Sequence, residues 1–345
     1  MTLHQYLERE TSRLITEKFL GQAAVRFIYG GLRENAPFLF RVLTGRRISG
    51  LIGFVSYDLA IGSRISGHLE FLKTCGVDLR ECLASPGTLN TLRKVFERKI
   101  RYWECRTMPD DPRVIVSPAD SRVLVGSHRE GPGIFIKSKL YDYEELIGRD
   151  RWLEAFREGD FAVFRLTPDK YHYNHTPVAG RVVDYYEIEG SYHSCNPAAL
   201  VSVLNSYSRN RRVVTVIDTD VRQGTGVGLV AMIEIVALMI GRITQCYSDE
   251  RYDDPRPLTA GMFLRKGVPK SLYSPGSSTD VLLFQRGRIE FSADIMKNMR
   301  HPDAKSLFTM ALEDRVAETD VKVRSEIARG LCMSKLENGV HYDVC

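Results

Sequence analysis

The sequence predicts an α+β protein: a helical N-terminal region over 1–110, followed by a β-rich domain over 111–345. Three observations carry this reading. Apolar residues recur at near-helical spacing through the first third of the chain. Past Asp110-Asp111-Pro112 the texture changes to short runs rich in Val and Ile, broken by turn residues. Near the end, Pro275 and Gly276 interrupt the chain just before Val281-Leu282-Leu283-Phe284, an apolar run of the length of a short buried strand.

In the first region, Leu3, Tyr6, Leu7, Leu14, Ile15 and Phe19 read as one helix face, with a second helical pattern through Val42 to Leu72. In the third, Leu89 to Trp103, the residues Leu92, Phe96 and Ile100 mark a face at steps of four. Arg93, Lys94, Arg98, Lys99 and Arg101 flank it, as on a solvated helix or one resting on anionic lipid. The apolar window Ile48 to Ile61 is too short to span a bilayer as a helix and carries Asp58.

In the second region, Val114-Ile115-Val116 and Val123-Leu124-Val125 enclose Ser117-Pro118-Ala119-Asp120-Ser121-Arg122, which reads as strand, tight turn, strand with Asp120 at the turn. Further strands are expected at Phe161 to Leu166, Arg181 to Ile188 and Val213 to Asp218. The run Leu229 to Ile243, interrupted by Glu234, Gly241 and Arg242, fits a buried helix or two buried strands. Asp253-Asp254-Pro255-Arg256-Pro257 marks a loop. The tail past Phe291 is charged and partly helical, with Val321, Val323, Ile327 and Leu331 as apolar anchors.

With 43% hydrophobic and 26% charged residues, 345 residues can bury a sizeable core in one large domain or two. A net charge of +5 favours an anionic surface such as phospholipid headgroups, while no basic block interleaved with aromatics points to nucleic acid. Seven cysteines, an odd number with no CxxC pair, fit a reducing compartment without structural zinc. The first ten residues show no secretion signal pattern.

Two stretches carry chemistry. In Tyr273-Ser274-Pro275-Gly276-Ser277-Ser278-Thr279-Asp280, two adjacent hydroxyls sit where a turn meets a strand, and Gly276 admits backbone conformations closed to other residues. In Tyr171-His172-Tyr173-Asn174-His175-Thr176-Pro177, two histidines three apart fit one side of a loop or single helical turn; no Cys or carboxylate at ligand spacing completes a metal site. A serine hydroxyl becomes a nucleophile when a base takes its proton, and the base works better when a carboxylate orients it. Asp120, a histidine and a serine are the parts of such a relay.

These three segments, in this order, resemble the phosphatidylserine decarboxylase family, which carries an SPADG-like turn, a YHxxHxP-like segment and a Gly-Ser-Thr-like segment before an apolar strand. The likeness runs from about residue 65 to the C-terminus and includes Ser208 to Val214 and Val230 to Ala237. It implies a chain that splits itself near 276–278. His175 would take the serine proton, Asp120 would orient His175, and the hydroxyl would attack the preceding carbonyl to give an ester. Elimination would then leave a pyruvoyl group, the covalent cofactor, at the start of the downstream fragment. His172 matches the histidine tied to decarboxylation.

The implied reaction converts phosphatidylserine to phosphatidylethanolamine and carbon dioxide through a Schiff base to that pyruvoyl group. The implied setting is peripheral, at an anionic membrane surface on the cytoplasmic face, with the two fragments staying associated and homo-oligomerisation left open. The implied alternatives are a pyruvoyl decarboxylase of a soluble amino acid and an unprocessed lipid-binding relative. Ser277 follows Gly276 as the family junction would want. Ser278 keeps the spacing to Phe284, and strand register favours it, since a one-residue slip turns every side chain to the other face. Ser121 stands where glycine or alanine is more usual, and Asp280 where a hydrophobic residue is more usual.

Overall fold

A computed structural model describes residues 3–17, 72–73, 76–129, 141–191, 197, 206–236, 242–275, 278–312, 315–331, 333–337 and 340–344. The pattern Val42 to Leu72, the window Ile48 to Ile61, Phe19, Gly276 and Ser277 therefore lie outside the described residues, apart from Leu72 itself.

The strands in chain order are β1 (Gln5–Glu8), β2 (Arg13–Thr16), β3 (Val114–Val116), β4 (Ser121–Ser127), β5 (Asp160–Leu166), β6 (Tyr173–His175), β7 (Gly180–Ile188) and β8 (Arg212–Asp218). Then come β9 (Leu229–Val236), β10 (Ile243–Gln245), β11 (Phe263–Leu264), β12 (Pro269–Tyr273), β13 (Ser278–Phe284), β14 (Ile289–Phe291), β15 (Glu318–Val321) and β16 (Glu326–Gly330). A ten-stranded sheet runs β11-β7-β8-β9-β13-β5-β4-β15-β1-β2, and a small sheet β10-β12-β6 accompanies it. The large sheet is antiparallel along its middle, and β1 joins β15 in parallel.

The mixed α/β content, mostly strand, agrees with the predicted class; a helical N-terminal region is not shown, residues 18–71 lying outside the described residues, and the first expected helix face is strand instead. Tyr6 and Leu7 belong to β1, and Leu14 and Ile15 to β2, as an antiparallel pair at the edge of the sheet. Leu7 buries against the sheet and Tyr6 lies under the Arg122 guanidinium, so long-range pairing overrode a local pattern compatible with either period. The third pattern breaks into two short helices, Leu92–Phe96 and Tyr102–Cys105. Phe96 and Ile100 are four apart, yet Phe96 packs with Leu166 and Tyr273 while Ile100 packs with Tyr171 and Val323.

The strand expectations in the second region hold with small extensions: β5, β7 and β8 lie where predicted, and the apolar run from Leu229 forms β9. The strands flanking Asp120 also form, but they do not pair with each other. β3 pairs with β16 in a separate sheet and β4 pairs with β5, so the segment between them is a crossing between sheets, not a hairpin turn. Val321, Val323 and Ile327 are buried as expected, whereas Leu331 is 43% exposed.

Candidate active site

β13 sits between β9 and β5, and all seven of its residues are buried. A central strand covered on both faces needs apolar side chains on both, which Val281-Leu282-Leu283-Phe284 provides. Ser278, Thr279 and Asp280 stand at the head of this strand, far from the composition expected of it. Ser278 is opposite Leu166 and Val236; Asp280 is opposite Phe164 and Glu234. Alternation then puts Ser278, Asp280, Glu234 and Leu166 on one face and turns Thr279 to the other. The Ser278 Oγ is buried with no hydrogen-bond partner among the described residues.

The histidines stand at the start and end of a strand segment, not on a helical turn. His175 ends β6 and His172 immediately precedes it, and an odd separation on extended chain sends the two rings to different surroundings. His172 stacks on Phe96, ring centroids 3.4 Å apart, beside the cluster of Phe96, Ala119, Leu166 and Tyr273. Leu166 is the cross-strand neighbour of Ser278, so this ring and that serine border the same small apolar cluster. His172 Nδ1–H donates to the Lys170 carbonyl at 2.8 Å, and Nε2 is buried without a partner among the described residues.

His175 lies against Tyr102 and Tyr171 with both nitrogens engaged. Its Nδ1–H donates to the Gly267 carbonyl at 3.0 Å, and its Nε2 accepts from the Tyr171 hydroxyl at 3.0 Å. Tyr171 in turn meets the Tyr252 hydroxyl at 2.8 Å. Gly267 is held at φ +74, where a side chain would be strained and would run into Met108. Burial, reinforced for His172 by Arg98 and for His175 by Arg324, pushes both imidazoles down to about 3. Both rings are therefore neutral at pH 7.

Asp120 is 5% exposed and is clasped by Arg106, whose Nη2 lies 2.7 Å from Oδ2 and whose Nε lies 3.0 Å from Oδ1. The Val323 N–H adds a third donor at 2.8 Å. Burial alone would raise this carboxyl; the Arg106 charge outweighs it and holds the group below the usual carboxylate range. Arg106 also carries Glu81 on its far side. The segment is pinned to the histidines through the His175 N–H, which donates to the Pro118 carbonyl at 2.7 Å. Among the described residues no hydrogen bond joins Asp120 to either imidazole, although its charge acts on both.

A family profile for phosphatidylserine decarboxylase matches residues 92–305. The chain belongs to the phosphatidylserine decarboxylase family. It is 26% identical to a phosphatidylserine decarboxylase proenzyme of Clostridium tetani over 293 residues, 85% of this chain and 91% of that protein. It is also 26% identical to one of Fusobacterium nucleatum over 302 residues, 86% of this chain and 92% of the relative. A Schizosaccharomyces pombe relative, phosphatidylserine decarboxylase proenzyme 3, is 27% identical over 297 residues, 85% of this chain but 29% of that longer protein.

Sequence reasoning missed the polar cluster that ties the small sheet to the Ser278 face. Glu234 and Lys270 are both fully buried and lie 2.6 Å apart. Glu234 also accepts from Asn174 at 3.2 Å, from Gln245 at 3.0 Å and from the Ser271 hydroxyl. Burial would raise the Glu234 carboxyl, but Lys270 and these donors hold it low. The signal was present: Glu234 interrupts an apolar run, and a charge in a buried strand demands partners. Arg106 gave no such signal, because it stands in a polar stretch.

His4, Glu17 and Glu318 form another buried cluster, with ligand atoms within 4.8 Å of one another. Arg165 bridges Glu17 and Glu318, and Arg122 pairs with Glu17, so guanidinium groups already supply the positive charge a metal would bring.

Proposed function

We propose that this chain is a self-processing phosphatidylserine decarboxylase, converting phosphatidylserine to phosphatidylethanolamine and carbon dioxide at a membrane surface. The observation that carries the reading is the head of β13: a buried serine whose Oγ has no partner among the described residues, bordering the same apolar cluster as a neutral histidine whose Nε2 has none among them either. A buried polar atom left unsatisfied costs stability and persists where function holds it. A pyruvoyl group formed from Ser278 fits this place, since it is no larger than the serine it replaces. Such a group supplies an electron sink for the bond to the departing carbon dioxide.

The chain's own residues take these parts. Ser278 is the residue processed, in preference to Ser277, because it stands in register at the start of β13. His175 accepts the serine proton during self-processing, a role supported by its neutral, buried ring. Asp120 stabilises the cation formed, which its charge favours at both histidines. His172, whose Nε2 has no partner among the described residues, moves protons during decarboxylation. The two fragments stay together because β13 begins the downstream one and pairs along its whole length with β9 and β5 of the upstream one.

Among the described residues no helix is long and apolar enough to cross a membrane. A peripheral attachment on the cytoplasmic face is proposed, supported by the net charge of +5 and by the free thiols of Cys82, Cys105 and Cys246. Release of labelled carbon dioxide from phosphatidylserine in vesicles, set against free amino acids, tests the reaction. The lipid is the expected substrate; release from a free amino acid alone would overturn the lipid reading and keep the decarboxylase.

A further inference from the structure

The Ser278 face carries an ionisable group that the processing relay does not use. Asp280 is fully buried, stands two positions after Ser278 on β13, and so shares its face. The groups packed around it are Glu234 from β9, Tyr273 and Lys270 from β12, and the apolar Phe164 from β5. Glu234 is matched by Lys270. Two facing carboxylates with one ammonium leave an uncompensated buried charge unless one carboxyl keeps its proton.

Hydrogen-bond accounting shows which one. The Tyr273 hydroxyl has a single proton. It lies 2.9 Å from the Thr279 carbonyl, which can only accept, and receives the Ile235 N–H at 3.1 Å. That same proton is the one side-chain donation open to Asp280 among the described residues, at 2.8 Å from Oδ1, whereas Glu234 receives Lys270, Asn174, Gln245 and Ser271, so the carboxyl that keeps a proton is Asp280. Burial first, then the Glu234 charge, push the Asp280 carboxyl well above its usual range. Its second oxygen, Oδ2, is buried and, like Ser278 Oγ, has no hydrogen-bond partner among the described residues.

We infer that Asp280 is a neutral carboxylic acid of the decarboxylation site, delivering the proton to the substrate carbon that carbon dioxide has left. The inference rests on the decarboxylase reading above. When the carbon–carbon bond breaks, its electron pair stays on the substrate carbon; that pair takes the Asp280 proton to form a C–H bond, and water returns a proton to the carboxylate. One proton is taken from solvent for each carbon dioxide released. An ionised Asp280 would instead set a second negative charge beside the developing one.

The test compares the processed parent with Asp280→Asn, which keeps the shape but has no acidic proton, and Asp280→Glu, which keeps one. Infrared difference spectra in water and deuterium oxide read the carboxyl without any turnover, and denaturing mass reads chain splitting on the same samples. The expected result is an isotope-sensitive carboxylic-acid carbonyl band at pH 7 that Asp280→Asn lacks. That variant splits but releases carbon dioxide from phosphatidylserine vesicles about 10²-fold more slowly, and Asp280→Glu recovers part of the rate. A parent without the band, or an Asp280→Asn with undiminished release, overturns the inference, as do equal losses in the two variants. A parent that shows the band yet releases no carbon dioxide from any substrate overturns the decarboxylase reading, and the proton-donor role with it.

Discussion

His172 and His175 are three residues apart, equally buried and equally neutral, yet among the described residues only the second has a partner at its Nε2 lone pair. The ring of His172 rests on Phe96 with Nε2 unpartnered among the described residues, next to the cluster that Ser278 borders. The ring of His175 is fixed at both nitrogens, by Gly267 and by Tyr171. Burial sets the protonation state of a histidine, but its partners set what the neutral ring can do. A ring with a committed Nε2 must exchange Tyr171 for the serine before it acts as a base, whereas His172 is ready as it stands.

The largest expected effect separates the two rings by step. His175→Ala should leave the chain whole, while His172→Ala should split and then release carbon dioxide about 10²–10⁴-fold more slowly. Denaturing mass and labelled carbon dioxide on the same preparations check this. If His172→Ala fails to split and His175→Ala splits normally, the assignments exchange.

Next in size is the anchor beneath the site. Lys270→Met leaves Glu234 buried without its ammonium and should cost about 3–5 kcal/mol in urea unfolding, because removing one partner strands the other's charge. A loss under about 1 kcal/mol would mean that water or Gln245 compensates.

A smaller effect follows from protonation. Each histidine is held to about 3 in the folded chain but titrates near 6.5 when unfolded, so the unfolded state binds more protons between these values. This contribution to stability is complete above pH 6.5 and is lost as pH falls toward 3. Asp280, with its raised carboxyl, acts in the opposite sense over part of the same window, so parent and variant must be compared. Between pH 7 and pH 5 the parent should lose about 2 kcal/mol more than His172→Gln, measured by urea unfolding at each pH. Equal losses would mean that the ring is protonated or exposed in solution.

The smallest effect concerns Tyr171. Tyr171→Phe frees His175 Nε2 at the cost of about 1 kcal/mol of hydrogen bonding. It should speed splitting, read as the fraction of whole chain over time after synthesis. Slower splitting would make Tyr171 part of the relay rather than a restraint on it.

How much of this was legible in the sequence differs by element. β5, β7 and β8 could be read directly, because their apolar patterns are local and meet a sheet that wants them. Gln5–Glu8 and Arg13–Thr16 could not, since what makes the first a strand is β15, some 300 residues away in sequence, and the second is added to the first at the sheet edge. The chemistry-bearing residues were visible as types, but their relations were not. Asp120 looked like a turn former until Arg106 and Val323 gave it three donors. The spacing of His172 and His175 suggested one shared side, and the extended chain separated them. Glu234 was legible as a misfit in an apolar run and Asp280 as a departure from the family pattern; that they face each other required the β9–β13 register.

The most direct measurement is a denaturing intact mass of the purified chain, with Ser277→Ala and Ser278→Ala beside it. The expected result is two fragments, the smaller beginning at residue 278 and blocked by a pyruvoyl group, with Ser278→Ala whole and Ser277→Ala still split. A single chain at full mass in the parent, or splitting that survives Ser278→Ala, would contradict the account.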